Sequence, residues 1–154
     1  MNKLTKLNAS YIAGFLDGDG SIYVRLKPNE TYRFGFQVAP NIVFYQSKKE
    51  IKFLKRLEKM IGGGYIRFRN DGIAEYIIGD TKTMRDLIKR IKPYLVLKKA
   101  QANLLIQILN QKEKVCTKKD FLKLVRAIDL YKDLNYSKKR KIGLITVVNR
   151  FRKT

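Results

Sequence analysis

Ten residues near the start, Tyr11-Ile12-Ala13-Gly14-Phe15-Leu16-Asp17-Gly18-Asp19-Gly20, constrain the chain more than any other stretch. They begin as a short apolar helix and end in two acids spaced two apart, each followed by glycine. Glycine inside a helix costs roughly 1 kcal/mol against alanine. Ala13 and Gly14 in mid-helix therefore point to a close approach, most simply by the backbone of another helix. Asp19 falls at the helix C-terminus, where the macrodipole is negative and a carboxylate is poorly placed. A cation there would repair the electrostatics. An EF-hand loop also opens Asp-x-Asp, but its sixth position would be Ile22 rather than glycine and its twelfth Pro28 rather than glutamate. That reading is excluded.

What could use such a site is narrowed by charge. Lys and Arg number 34 against 13 Asp and Glu, a net charge of +21. An excess of this size repels itself in a compact state, so a polyanionic partner is expected. Apolar residues make up 45% of the chain, enough for a folded protein rather than a basic disordered tail. Its 154 residues fit one domain, 1–154. No apolar run approaches the ~18 residues that span a bilayer, so nucleic acid is favoured over a membrane. The absence of histidine excludes His-based general acid–base chemistry, His-ligated zinc and any His-containing triad. The single cysteine, Cys116, excludes an internal disulfide and fits a reducing compartment. Met1–Asn8 has no apolar core of the kind a signal peptide needs. The Lys, Asn and Ile richness suits an AT-rich organellar genome, hence an intracellular, organellar setting.

The chain alternates helical and strand periodicity. In Ser21–Lys27, Ile22, Val24 and Leu26 alternate with Tyr23, Arg25 and Lys27, which predicts a strand with one buried and one basic, aromatic face. Pro28–Thr31 supplies turn chemistry, and Tyr32–Phe44 alternates again, interrupted by Pro40, which implies an edge position or a bulge. Ser47-Lys-Lys-Glu50 reads as a capping box before a helix carrying Ile51, Leu54, Leu57 and Ile61, ended by Gly62-Gly63-Gly64. Strands follow at Tyr65–Arg69 and Ala74–Ile78 around the turn Asn70-Asp71-Gly72. A helix capped by Asp80 or Thr81 stops at Pro93, and further helices are predicted over Lys98–Gln111 and Lys118–Lys132. The basic cluster Ser137–Lys141 and the apolar stretch Ile142–Phe151 close the chain.

Residues 11–20 resemble the motif of the LAGLIDADG homing endonucleases in order, spacing and chemistry. The segment Pro93–Asn103 resembles the corresponding family segment nearly residue by residue. A single copy of the motif places the chain with the homodimeric branch. The resemblance implies an α+β fold of αββαββα order: a four-stranded antiparallel DNA-binding saddle, helices on its other face, and extra C-terminal helices. It implies a site-specific double-strand DNA endonuclease of the intron-homing type, cutting a long pseudo-palindromic site with Mg2+ or another hard cation such as Mn2+ or Ca2+. By the same resemblance Gly18 and Asp19 bind metal, and Asp19, Gln46 and Lys98 form the catalytic set. Related enzymes often carry a basic residue where Glu50 stands, so Lys48, Lys49 or Arg69 are the candidates to replace it.

Recognition of double-stranded DNA falls to the exposed strand faces, Tyr23, Arg25, Lys27, Asn29, Arg33, Gln37, Arg67, Arg69 and Glu75, with Lys138, Lys139 and Lys141 on phosphates. Tyr11, Ala13, Gly14 and Asp17 are expected at the homodimer interface. Asp17 is also given a helix-ending role. Two alternatives remain: an RNA-binding maturase of the same fold, and a non-catalytic DNA-binding regulator.

Overall fold

The computed structural model describes residues 4–137 and 140–154. By contact density the chain divides into two compact units, Met1–Ile22 with Pro40–Ala102, and Tyr23–Ala39 with Asn103–Thr154. Strands β1 (Gly20–Pro28) and β2 (Phe36–Ser47) contribute to both.

The first unit begins with α1 (Lys6–Asp19), five residues longer at its start than the apolar run from Tyr11 suggests. The extra turn forms because Thr5 caps it: the Asn8 amide donates to Thr5 Oγ1 at 3.2 Å. Ala9, Ile12, Ala13 and Leu16 form its buried face. Behind β2 come α2 (Ile51–Ile61), β3 (Tyr65–Phe68), β4 (Ile73–Ile78) and α3 (Thr81–Ile91). The four antiparallel strands take the order β1-β2-β4-β3, as an α+β fold of the expected element order requires. Register pairs Phe44 with Tyr76 and Ile42 with Ile78 on one face, and Tyr45 with Glu75 and Val43 with Ile77 on the other. The helices cover the first of these faces: Phe15 of α1 stacks on Phe44 at 5.8 Å, and Phe44 on Tyr76 at 5.9 Å. Burial of Ile12, Leu16, Phe44, Leu54, Leu57, Tyr76, Met84 and Ile88, all under 2% exposed, makes this the unit's core.

In the second unit, α4 (Lys99–Glu113, entering from the first), α5 (Lys118–Asp129), the short α6 (Tyr131–Leu134) and α7 (Leu144–Lys153) join the distal parts of β1 and β2. Phe121 stacks on Phe34 at 5.1 Å and on Phe36 at 6.4 Å, with Phe151 at 6.1 Å. Thr117 and Asp120 form a reciprocal capping box at the start of α5, in agreement with the expected helix start.

Three sequence expectations need correction. Tyr32–Gly35 is not strand. Asn29 Oδ1 accepts from the Thr31 amide and hydroxyl, Tyr32 and Gly35 close successive turns, and Gly35 has φ +75°, which a strand cannot continue. At that position a Cβ would lie 2.9 Å from the Arg150 guanidinium of α7. The Ser47–Glu50 capping box does not form. Ser47 Oγ accepts from Lys49 within a 3-10 turn, and the Ser47 amide, which a capping glutamate would take, already donates to Gln46 Oε1 at 2.8 Å. The helix expected over Lys118–Lys132 breaks at Leu130, whose amide turns back to Ala127. Pro40 lies in β2, an interior strand, but two residues before the ladder to β4 begins at Ile42, so it withholds no donor from that ladder. No helix among the described residues is long and apolar enough to cross a membrane.

Candidate functional site

Helix α1 ends in an acidic turn, and the segment before α4 is folded onto that turn. One oxygen of the Asp17 carboxylate accepts from the amides of Val96 at 2.7 Å and Leu97 at 3.2 Å. The other accepts from the Lys98 amide at 2.9 Å. Three consecutive backbone donors in the segment just before α4 satisfy one carboxylate. Lys98 Nζ then donates to the Asp17 carbonyl at 2.5 Å, which fixes the ammonium over the end of α1. Burial lowers the Lys98 pKa below the ordinary lysine value, while Asp17 and Asp19 oppose that shift. Asp17 is thus a structural clamp, as its helix-ending position suggested.

Asp19 is exposed, the last residue of α1, and among the described residues its carboxylate has no hydrogen bond or salt bridge, though it bears electrostatically on Lys98. Gly18 is exposed beside it, and its carbonyl belongs to the last turn, where carbonyls have no intrahelical partner. Gly20 must be glycine, because a Cβ there would lie 2.4 Å from Leu16 Cδ1 and 2.8 Å from the Leu16 carbonyl. The donor set, one carboxylate and one carbonyl, suits a hard divalent cation. Among the described residues no group of three or more His, Cys, Asp or Glu could hold a metal unaided.

Gln46 follows Phe44 on the helix-facing parity of β2 and is half-buried. Its hydrogen bond goes to Ser47, not to Asp19 or Lys98. With Oε1 committed, its amide nitrogen is left to donate. Glu50 is exposed and caps nothing with its side chain. Of the basic candidates near it, Arg69 is already engaged by Asp71 at 2.5 Å and by Glu75, which leaves Lys48 and Lys49.

The outward side of α1 carries Leu7, Tyr11, Gly14 and Gly18, all exposed. A Cβ on Gly14 or Gly18 would meet nothing within 4 Å, so this chain by itself does not require either glycine. Ala13, expected on that side, is fully buried in the chain's own core and is removed from the interface set.

Two basic faces present the residues expected to read DNA. In the second unit Arg25, Lys27 and Arg33 are exposed, and Tyr23, Asn29 and Gln37 are half-buried. The Arg25 guanidinium lies 4.7 Å over the Tyr23 ring, and Arg33 lies 5.3 Å over Phe34. In the first unit Arg67 and Arg69 stand beside Glu75. Glu75 needs correction as a base reader, since it is only 4% exposed. Its carboxylate accepts from Arg67 Nε at 2.7 Å and lies 3.6 Å from Arg69, so it aims two arginines rather than contacting a partner. Lys141 is exposed; Lys138 and Lys139 lie outside the described residues. Alternation revealed which face these residues share, but not the burial of Glu75 or the reach of Asp17.

A family model described as LAGLIDADG endonuclease matches residues 12–109. The DNA endonuclease I-CreI of Chlamydomonas reinhardtii is 37% identical over 138 residues, 89% of this chain and 84% of that protein. The DNA endonuclease I-CvuI of Chlorella vulgaris is 33% identical over 106 residues, 69% of this chain and 66% of that protein. Among solved structures, the homing endonuclease I-CvuI with the I-CreI target, uncleaved in 2 mM Mg, superposes with a TM-score of 0.91 at 29% identity, covering 96% of this chain and 94% of that one. The archaeal intron-encoded homing endonuclease I-Vdi141I, complexed with DNA, shares the fold at a TM-score of 0.83 and 19% identity, covering 96% of each chain.

Proposed function

This chain belongs to the LAGLIDADG endonuclease family, and we propose that it is a site-specific double-strand DNA endonuclease of the homing type, acting as one domain over residues 1–154. The observation that carries the reading is the end of α1: an exposed carboxylate, Asp19, with a lysine held over the same turn by Asp17. A purely DNA-binding protein has no use for a carboxylate at a helix C-terminus facing a polyanion, where dipole and phosphate both repel it.

Phosphodiester hydrolysis requires a positioned water and relief of negative charge on the phosphate. Asp19 and the Gly18 carbonyl would hold a divalent cation such as Mg2+. At that place it would supply charge relief for the phosphate and a water more readily deprotonated near neutral pH. Gln46, its carbonyl anchored to Ser47, offers its amide to orient water. Lys98 presents an ammonium to the phosphate; its lowered pKa arises because the turn withdraws it from solvent.

The exposed stripe Leu7, Tyr11, Gly14 and Gly18 is the surface for a second copy of the chain. Two copies of Asp19 then serve the two strands of one duplex, and a two-fold assembly reads two half-sites. Direct contacts fall to Arg25, Lys27, Arg33, Gln37, Arg67 and Arg69, since arginine matches guanine and glutamine matches adenine in the major groove.

The test is selection of cleaved molecules from a randomised duplex library with Mg2+ present. The expected outcome is one long, roughly palindromic sequence, cut only with the metal. Binding without any cutting, in Mg2+ or Mn2+, would overturn the assignment.

A further inference from the structure

In the basic run that precedes α7, one arginine is turned away from solvent. Arg140 donates from one guanidinium nitrogen to Asp129 Oδ1 at 3.1 Å and from the other to the Val24 carbonyl at 3.0 Å. Both the Arg140 and Asp129 side chains are 21% exposed. The second oxygen of Asp129 accepts from the Leu144 amide at 3.0 Å, at the start of α7. Gly143 passes so close that a Cβ would lie 3.1 Å from the same carboxylate. One acid therefore fixes two points of the connection from α6 to α7, residues 140 and 144. The arginine it holds is bonded to the backbone of β1.

Val24 is fully buried, but its neighbours Tyr23 and Arg25 form the outward basic and aromatic face of that strand. Lys141, next to the pinned Arg140, is exposed. The fork of an arginine is suited to such a pin, because two donors at fixed spacing serve a carboxylate and a carbonyl at once. A lysine ammonium cannot hold the same pair with equal definition.

Resting on the reading that duplex DNA is the partner, we propose that Arg140 and Asp129 are positioning residues for DNA binding. Arg140 contacts no phosphate; with Asp129 it holds Lys141 against β1, so that strand and loop meet one stretch of backbone together. Asp129 thereby strengthens binding to a polyanion although it is itself an anion.

The two accounts of Asp129 differ in sign. If it only contributes charge, Asp129→Asn removes a repulsion and tightens DNA binding, more so at low salt. If it positions the loop, the same change weakens binding and flattens the salt dependence, because every phosphate left without its cation reduces the log–log slope by about 0.9. Equilibrium binding of the unmodified protein, Asp129→Asn and Arg140→Lys to one duplex across a salt series decides between them. Arg140→Lys conserves charge, so any weakening it shows is positional. The expected result is at least about five-fold weaker binding for both variants, with slopes shallower by about one or two units. Lys141→Ala should weaken the unmodified protein but add little to Arg140→Lys. Unchanged or tighter binding by Asp129→Asn, whatever its slope, or full additivity of Lys141→Ala with a folded Arg140→Lys, would overturn the proposal. Failure of the unmodified protein to bind duplex DNA would instead remove the reading on which it rests.

Discussion

Lys98 is bound twice to Asp17: its amide donates into the Asp17 carboxylate at 2.9 Å, and its ammonium donates to the Asp17 carbonyl at 2.5 Å. Asp17, the first acid of the motif, thus decides where the lysine stands. Asp17→Ala should lower stability by about 2–3 kcal/mol: a hydrogen bond to a charged group is worth about 1.5–3 kcal/mol, and water makes good much of the loss at three donors that are exposed or only part-buried. It should also slow single-turnover cleavage by one to two orders of magnitude while DNA affinity is largely kept. Thermal denaturation and a cleavage time course check both parts; an unchanged cleavage rate would mean that Lys98 needs no clamp.

Asp19→Asn keeps size and shape but removes the negative charge that a hard cation requires. Cleavage in Mg2+ should fall by orders of magnitude, and binding to the same duplex should survive or strengthen. Equal cutting rates for the two proteins would refute Asp19 as the ligand.

The lowered pKa of Lys98 gives opposite pH trends for activity and stability. As pH rises through the lowered value, the ammonium loses its charge, so kcat/KM for cleavage should decline at a lower pH than an ordinary lysine would give. Between that value and the ordinary one the unfolded chain binds more protons, so folding stability should rise with pH. Lys98→Arg stays charged throughout and should abolish both trends. A pH–rate profile with the same alkaline decline in Lys98→Arg would assign the decline to another group.

Glu75→Gln removes an anion from the basic face, loosens the hold on Arg67 and leaves Arg69 to Asp71. Affinity for unrelated duplexes should rise at low salt. Discrimination at the base pairs those arginines read should fall, because a good bidentate pair is worth about 1–3 kcal/mol of selectivity. Competition between cognate and singly altered sites measures this. A gain in affinity with undiminished discrimination would show that the arginines need no fixing.

Gly14→Leu should be tolerated by the isolated chain, since no atom lies within 4 Å of the new Cβ and leucine favours helix by up to ~1 kcal/mol over glycine. Assembly should suffer instead. Sedimentation should show a folded monomer where the unmodified protein is dimeric on its DNA; a stable dimer of Gly14→Leu would move the interface elsewhere.

Much of this was legible because it is periodic. Ile22, Val24 and Leu26 announced the buried side of β1, and all three are 6% exposed or less. The acidic end of α1 was visible as a local rule broken in one place. What stayed hidden is long-range. The donors to Asp17 lie 79 to 81 residues away, and no pattern within a helix encodes them. Glu75 sits on the parity of Arg67, yet alternation assigns a face and not a depth. At Ser47 a short motif fitted the sequence but lost to a competing acceptor, the neighbouring Gln46.

The place left vacant by the missing side chain of Gly35 has a consequence for how the gene can change. The guanidinium of Arg150 lies 2.9 Å from where a Cβ would be, over the ring of Phe36 at 5.1 Å, and Gly35 keeps a left-handed backbone there. Any substitution at 35 displaces the arginine and strains the turn, whereas a smaller residue at 150 opens a gap that a substituted 35 could fill only by giving up φ +75°. Position 35 is therefore expected to stay glycine among descendants of this sequence whatever stands at 150, because the left-handed backbone, more than the flexible arginine, forbids a side chain there.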